Sequence, residues 1–312
     1  MNNIINSDAL TALKNLPDNS VDCCVTSPPY FNLRDYGIDG QIGLENTPSE
    51  FVAKLVEVFT EVRRILKPEG TCWINLGDSY ASHGKNRSVA QSVASSTLIG
   101  SKLNQCQNLK QRSTISEGLK PKDLIGIPWR VAFALQESGW YLRQDVIWQK
   151  PNPVPESVMD RCTKAHEYIF LLSKSSKYYF DHKAIQEPAI WSGRRKDQKK
   201  GEFKGKGAKL EGDRLRGRES FRAIRDVRNK RSVWTVSTKS YSGAHFAVFP
   251  PELIEPCILA GCPEGGVVID PFFGSGTTGA VAKKYGRNYI GVELNPKYVE
   301  LARARIQEQE VK

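Results

Sequence analysis

The chain has 312 residues, a mass of 34.9 kDa and a net charge of +11, which fits one large α/β domain or two smaller ones with an excess of Lys and Arg. Its longest uninterrupted apolar runs are about five residues and the N-terminal MNNIINSDAL has no basic or apolar signal region, so neither a membrane span of ~20 residues nor a secretory leader is expected. Seven cysteines without a C-x-x-C pair argue against a disulfide framework, no metal site is predicted, and a cytoplasmic location is expected.

Hydrophobic periodicity predicts strands that alternate with helices along the chain. A short helix at 7–16 precedes a largely apolar strand at 21–25, and a capping box at 47–50 begins a long amphipathic helix that ends at 67–70. The later predicted strands are 71–76, 142–148, 167–172, 267–270 and 289–294, and the later predicted helices are 128–138, 251–259, 278–285 and one that begins at Pro296. This alternation is typical of a mostly parallel sheet covered by helices on both faces.

Two segments hold the excess positive charge. Residues 82–122 carry 7 Lys and Arg against 1 acidic residue, and residues 183–231 carry 17 against 7, which leaves the rest of the chain at −5. Basic segments on a slightly acidic body are typical of a protein that binds a polyanion. For residues 82–122, a solvated or disordered loop is an equal alternative. For residues 183–231, where Trp191, Phe203 and Phe221 lie among the basic residues, nucleic-acid contact is favoured.

A glycine-rich loop follows the strand predicted before it. Gly274, Gly276 and Gly279 match G-x-G-x-x-G, a pattern that lets a ligand approach the backbone closely. Glu293, at the end of the next strand, is placed to accept hydrogen bonds from a ribose diol. A nicotinamide dinucleotide is the alternative ligand, but only one helix fits after Glu293, and Asp270 at the strand end would repel a pyrophosphate. S-adenosylmethionine, which has an ammonium group and an adenosine ribose, fits better.

The segment Thr26-Ser27-Pro28-Pro29-Tyr30 lies at the carboxyl end of a predicted strand, where α/β sheets bind ligands. The prolines fix the backbone, so the Ser27 hydroxyl and the Pro28 carbonyl provide two hydrogen-bond acceptors. Tyr30 provides a face for stacking. The segment therefore predicts a pocket for a planar group that carries an amino group, and a buried turn without chemistry is the alternative.

Together, VTSPPY, DPFFGSGTTG and GVEL resemble the motifs of the DNA amino-methyltransferases, which methylate N4 of cytosine or N6 of adenine. The first motif precedes the glycine loop with a basic segment between them, which resembles the circularly permuted β-group. Protein and RNA amide methyltransferases have a related Asn-Pro-Pro-Tyr but place the cofactor loop upstream.

This resemblance implies an α/β, Rossmann-like three-layer fold of the S-adenosylmethionine-dependent methyltransferases, with a mostly parallel seven-stranded sheet. It implies a catalytic domain at 1–182 and 233–312, a basic insertion at 82–122 within it, and a basic target-recognition segment at 183–232.

The resemblance also implies roles for individual residues. Ser27, Pro28, Pro29 and Tyr30 would form the catalytic motif. The cofactor would be bound by Asp8, Phe249, Asp270, Phe272, Gly274, Ser275, Gly276, Thr277 and Glu293. Contact with DNA is expected from Lys150, Asn152, Arg214, Arg216 and Arg218.

The sequence thus predicts transfer of a methyl group from S-adenosylmethionine to an exocyclic amino group of a base flipped out of double-stranded DNA. Ser27 in place of Asp favours N4 of cytosine, although the same acceptors would serve N6 of adenine. A non-catalytic nucleic-acid-binding protein and an NAD-dependent oxidoreductase are the remoter alternatives. A cognate restriction endonuclease and a second copy of the chain are candidate partners, in a bacterial or phage-encoded system.

Overall fold

The structure, a computed structural model, describes residues 2–83, 113–189, 226–238 and 249–308. The chain divides into two compact units, Met1–Asp181 with Ser232–Lys312, and His182–Arg231. In the described part of the second unit, two short strands pair in antiparallel fashion, and Glu187 accepts hydrogen bonds from Arg228 and Arg231 at 2.8 and 2.7 Å.

The described strands, in chain order, are β1 (Asn3–Asn6), β2 (Val21–Thr26), β3 (Leu66–Leu76), β4 (Tyr141–Gln149), β5 (His166–Ser173), β6 (Glu187–Pro188), β7 (Val227–Arg228), β8 (Val233–Thr235), β9 (Val267–Asp270) and β10 (Asn288–Glu293). Apart from β6 and β7, they form one sheet in the order β1-β10-β9-β2-β3-β5-β4-β8. Adjacent strands are parallel except around β5, which runs antiparallel to both β3 and β4.

The predicted mostly parallel α/β sheet is confirmed, but in the described residues it has eight strands and not seven. The additional edge strand forms because Val233–Thr235 pairs in parallel with the end of β4, where Trp148 lies opposite Trp234. The prediction also placed the start of β3 too late. Leu66 already pairs with Val21, and the strand bulges before pairing resumes opposite Cys23.

The helices are α1 (Ala9–Lys14), α2 (Pro48–Ile65), α3 (Ile127–Glu137), α4 (Pro251–Gly261), α5 (Thr277–Lys284) and α6 (Pro296–Glu308). The predicted cap of α2 is present, because the Thr47 side chain accepts a hydrogen bond from the Glu50 backbone at 3.1 Å. None of the helices in the described ranges combines the length and the hydropathy needed to cross a membrane.

The helices cover the sheet from both sides, which gives the predicted three layers. One face packs against α1, α2 and α3, and Cys24 of β2 lies in that core with Phe51 and Leu55 of α2. The neighbouring Cys23 points to the opposite face, where Gly261 at the end of α4 lies close to it. This alternation of side chains buries every residue of β2 except Asp22 and holds the carboxyl end of the strand in place.

Candidate functional site

A cavity of about 730 Å³ lies at the carboxyl ends of β2, β9 and β10 and brings the two predicted motifs together. Its volume is that of a typical small-molecule site. Parallel strands end at the same edge of the sheet, so residues far apart in sequence meet there. The predicted residues that line it are Asp8, Ser27, Pro28, Pro29, Tyr30, Lys150, Phe249, Asp270, Phe272, Gly274, Ser275, Thr277 and Glu293.

Glu293 ties the end of β10 to the glycine loop. Its Oε2 accepts a hydrogen bond from the Gly274 backbone at 2.8 Å, and its Oε1 accepts one from the Asn295 backbone at 2.8 Å. Burial raises the pKa of Glu293, while these backbone hydrogen bonds oppose the rise. Each carboxylate oxygen has a second lone pair, so Glu293 keeps acceptor capacity for a ligand in the cavity.

Asp270 is only 1% exposed and holds three elements together. Its carboxylate accepts hydrogen bonds from the hydroxyls of Thr26 and Thr278, both at 2.6 Å, and from the Phe272 backbone at 3.0 Å. Burial raises the pKa of Asp270 to about 6, against the effect of these hydrogen bonds. The structure therefore gives Asp270 a scaffolding role in addition to its place in the cavity wall.

Two polar side chains of the glycine loop contact α6. Arg305 donates hydrogen bonds to the hydroxyls of Ser275 and Thr277 at 2.9 and 2.7 Å. Gly276 is absent from the cavity lining; its φ is +78°, and a Cβ there would lie 2.8 Å from the Cβ of Ala302. These residues fix the shape of the loop, and the loop backbone and Phe272 are what the cavity presents to a ligand.

Asp8 and Phe249 stand at other parts of the cavity wall. Asp8 is the N-cap of α1 and accepts a hydrogen bond from the Thr11 backbone at 2.9 Å. Burial raises the pKa of Asp8, whereas the hydrogen bonds from Thr11 lower it. The hydrogen bonds prevail, so the pKa lies below its ordinary value. The carboxylate is thus a charged acceptor at neutral pH. Phe249 is half-buried and precedes α4.

The segment predicted to be catalytic is anchored by residues of β3 and β5. The Tyr30 hydroxyl donates to Glu167 Oε2 at 2.6 Å, and Asn75 Nδ2 donates to the Tyr30 hydroxyl at 2.8 Å and to Glu167 Oε2 at 2.9 Å. Burial raises the pKa of Tyr30 well above its ordinary value, and the Glu167 carboxylate adds to the rise. The ring lies directly on Gly77, where a Cβ would be 2.5 Å from Tyr30 Cε2. The ring is thus held on one side by backbone and at its hydroxyl by polar partners.

The residues predicted to contact DNA lie in different surroundings. Lys150 forms an ion pair with Glu167, and its Nζ lies 4.3 Å from the centroid of the Trp148 ring, so it belongs to the cavity wall. The Asn152 side chain donates to the Thr238 carbonyl at 3.2 Å and accepts from the Thr238 backbone N–H at 3.0 Å. The remaining predicted residues, Arg214, Arg216 and Arg218, lie outside the described residues.

Sequence reasoning missed Asn75 and Glu167, which line the cavity together with Trp148. Trp148 lies directly opposite Glu167 in the pairing of β4 with β5, and Asn75 lies opposite Ile169, two residues from Glu167, in the pairing of β3 with β5. The three side chains therefore share one face of the sheet. The available signals were polar residues within or at the start of otherwise apolar strands, in CWINL and HEYIFLL.

Comparison with known proteins identifies the family of the chain. A family model described as DNA methylase, N6_N4_Mtase, matches residues 21–304. The type II methyltransferase M.Cfr9I of Citrobacter freundii is 47% identical over 304 residues, which cover 97% of this chain and 87% of that protein. The type II methyltransferase M.SmaI of Serratia marcescens is 46% identical over 303 residues, with 97% and 90% covered.

Solved structures share the fold. The PvuII DNA methyltransferase, described as cytosine-N4-specific, superimposes with a TM-score of 0.63 at 19% identity, covering 99% of this chain and 90% of its own. TTHA0409 of Thermus thermophilus, complexed with S-adenosyl-L-methionine, gives a TM-score of 0.59 at 23% identity, with 99% and 96% covered.

Proposed function

Because this chain belongs to the N6/N4 DNA methylase family and is an S-adenosylmethionine-dependent DNA methyltransferase, we propose that its target is the exocyclic amino group of a base flipped out of the duplex, with N4 of cytosine favoured. The observation that carries this proposal is the single cavity lined both by Ser27 and Pro28 and by the glycine loop with Glu293. A site for a planar amino group and a site for a nucleoside cofactor thus share one space.

The chain's acceptors would activate the amino group. An exocyclic amino nitrogen is a poor nucleophile because its lone pair is delocalised into the ring of the base. Ser27 Oγ and the Pro28 carbonyl accept hydrogen bonds from its two N–H groups and favour a tetrahedral nitrogen with a localised lone pair. The cofactor supplies an electrophilic methyl group on a sulfonium, and positioning completes the catalysis.

The cavity residues fit S-adenosylmethionine. Glu293 and Asp8 are acidic acceptors that suit ribose hydroxyls and an adenine amino group, and Asp270 adds negative charge for a cationic ligand. Phe249 and Phe272 provide apolar surfaces that suit a purine ring. No Lys or Arg lies in the loop DPFFGSGTTG, so the site is poorly suited to a pyrophosphate.

The preference for cytosine rests on Ser27, which is neutral where an Asp would be charged. Ser27 Oγ lies 3.5 Å from Asn75 Nδ2 and thus has a neutral amide, and no carboxylate, as its neighbour on β3. N6 of adenine, beside the N1 acceptor, is the alternative target.

The test is to methylate DNA with the purified protein, digest it to nucleosides and identify the modified base by mass spectrometry. N4-methylcytosine is the expected product, and N6-methyladenine would move the proposal to its alternative. Ser27→Ala should lose most of the activity, whereas the control Ser176→Ala, at an exposed position on a turn, should retain it. A wild-type protein that leaves both amino groups unmodified would overturn the proposal.

The relatives are type II methyltransferases, which supports a role in restriction and modification. A cognate endonuclease that cleaves the unmethylated site is accordingly a proposed functional partner. The basic segment 183–232 is the proposed target-recognition element, since it carries most of the excess positive charge.

A further inference from the structure

The loop that joins β4 to β5, residues 151–165, begins at the wall of the cavity. The two strands are antiparallel, and the hydrogen bond from the Lys150 backbone to the Ala165 carbonyl, at 2.8 Å, closes the base of the loop. Trp148 and Lys150, which precede the loop, both line the cavity. The β4–β5 loop therefore projects from the same edge of the sheet that holds the site.

The β4–β5 loop exposes a cluster of apolar side chains. Val154 is 82% exposed, Val158 is 37% exposed and Met159 is fully exposed. Among the large apolar side chains in the described ranges, those of Met159 and Val154 are the two most exposed. Single exposed apolar residues are ordinary on a protein surface, whereas a cluster of them indicates a surface that meets a partner.

The acidic residues of the loop are paired within the protein. Glu156 forms an ion pair with Arg161, and Asp160 forms one with Lys122 Nζ at 2.6 Å. The Arg161 guanidinium also lies 3.9 Å from the centroid of the Tyr80 ring. Both carboxylates of the loop are thus neutralised by a basic side chain, so the loop can approach a polyanion without strong repulsion.

Prolines stiffen the first half of the loop. Pro151, Pro153 and Pro155 recur at every second position, and each fixes its own φ. Asn152, between the first two, exchanges hydrogen bonds with the backbone of Thr238 at 3.2 and 3.0 Å. A segment that is ordered before it binds loses less conformational entropy when it meets its partner.

We propose that the β4–β5 loop inserts Val154 and Met159 into the DNA duplex beside the flipped base and fills the space that the base leaves. This inference rests on the proposed function, because only a flipped base leaves such a space. Apolar side chains that enter between base steps are a recurring means of opening a duplex, and Met is among those used. Val154 is four residues from Lys150, so the two Cα atoms lie within ~14 Å, close to the ~12 Å width of a major groove.

Insertion would offset part of the cost of flipping. Extruding a base breaks its stacking and exposes the faces of the neighbouring bases to water. Apolar side chains that cover those faces are themselves removed from water. Every base has a face of this kind, so the contact assists opening of the duplex and carries little sequence information.

The test compares the double variant Val154→Ser with Met159→Ser to the wild type in DNA affinity and in single-turnover methylation. The DNA is a short duplex that contains the site methylated by the wild type, either fully paired or mismatched at the target base. On the paired duplex the variant should lose roughly 10-fold in affinity and react more slowly. On the mismatched duplex the loss should shrink to less than ~2-fold, because a mismatched base costs less to extrude.

Two control variants accompany the test. Val154→Ile combined with Met159→Leu keeps the side chains apolar and should bind both duplexes like the wild type. Tyr141→Ser removes an exposed ring at the other end of β4, away from the cavity, and should also leave both affinities unchanged. Cofactor affinity, measured by calorimetry, should be the same in all variants.

Three results would overturn the insertion. The first is wild-type affinity and rate for the serine variant on the paired duplex. The second is an equal loss on both duplexes, which would indicate contact with the outside of the DNA. The third is a changed oligomeric state of the serine variant in sedimentation, which would assign the apolar cluster to a second copy of the chain. Failure of the proposed function is recognised separately, because the wild-type protein would then methylate no amino group.

Discussion

The buried carboxylate of Asp270 should make the stability of this protein depend on pH in a defined direction. Its pKa is about 6 in the folded protein, against 3.8 ordinarily, so the folded state binds the proton more tightly than the unfolded chain. Folding stability contributed by this group must therefore fall as pH rises from about 4 to 6. A difference of about two pKa units corresponds to roughly 3 kcal/mol, which is the cost of keeping the carboxylate ionised at pH 7.

The substitution Asp270→Asn removes this titration and keeps the shape of the side chain. The hydroxyls of Thr26 and Thr278 can rotate, so one donates to the new carbonyl and the other accepts from the amide. The free energy of unfolding of the wild type minus that of the variant should therefore decrease by up to about 3 kcal/mol between pH 4 and pH 7. Any constant repacking cost cancels in this comparison across pH.

The assay is urea unfolding of both proteins at several pH values, followed by circular dichroism. Asp123→Asn is a control of opposite sign, because hydrogen bonds from the Lys120 backbone and side chain lower the pKa of Asp123. Its contribution to stability is present above the ordinary pKa and is lost as pH falls. A difference between wild type and Asp270→Asn that stays constant from pH 4 to pH 7 would refute the reasoning about burial.

Four further variants, three single and one triple, test other parts of the site and the basic segment. Gly77→Ala should destabilise the protein by about 1–3 kcal/mol and lower turnover with cofactor affinity unchanged, because the new Cβ displaces the Tyr30 ring; wild-type kinetics would contradict this. Tyr30→Ala should lower single-turnover rates far more than cofactor affinity, and an unchanged rate would exclude its contact with the flipped base. Glu293→Ala should weaken cofactor binding by about 1.5–3 kcal/mol in calorimetry and leave DNA binding intact; wild-type affinity would reject its assignment. Replacing Arg214, Arg216 and Arg218 together by Ala should lower DNA affinity and reduce the salt slope by ~0.9 for each phosphate that is no longer neutralised. A binding isotherm that is unchanged at every salt concentration would move recognition to residues 82–122.

The fold was predictable where local chemistry determines the structure. The Thr47 cap and the spacing of apolar residues place α2, and the run VVID before the glycine loop gives β9 with its bounds unchanged. The strands that were missed are short. Asn3–Asn6 and Val233–Thr235 are too brief for a period of two to show, and they exist because longer strands offer them unpaired backbone.

The ends of elements were less predictable because tertiary pairing decides them. The sequence Lys67-Pro68-Glu69-Gly70 has the composition of a turn, and a turn after the helix was the natural expectation. In the structure Leu66 is already paired with Val21, so these four residues form a bulge within β3. The partner strand supplies the constraint, and the local sequence carries no information about it.

The candidate site divides in the same way. Ser27 and Glu293 follow parallel strands, so the rule that ligands bind at carboxyl ends places them together from sequence alone. Glu167 is the second residue of β5, and the same rule would put it at the opposite edge of the sheet. The reversal of β5 between β3 and β4 brings its first residues to the edge where its neighbours end, beside Asn75 and Trp148. A single antiparallel strand thus adds the Glu167 carboxylate to a site that the parallel pattern alone would leave without it. The strand order that produces this contact is set by packing between segments of the chain, and no single segment determines it.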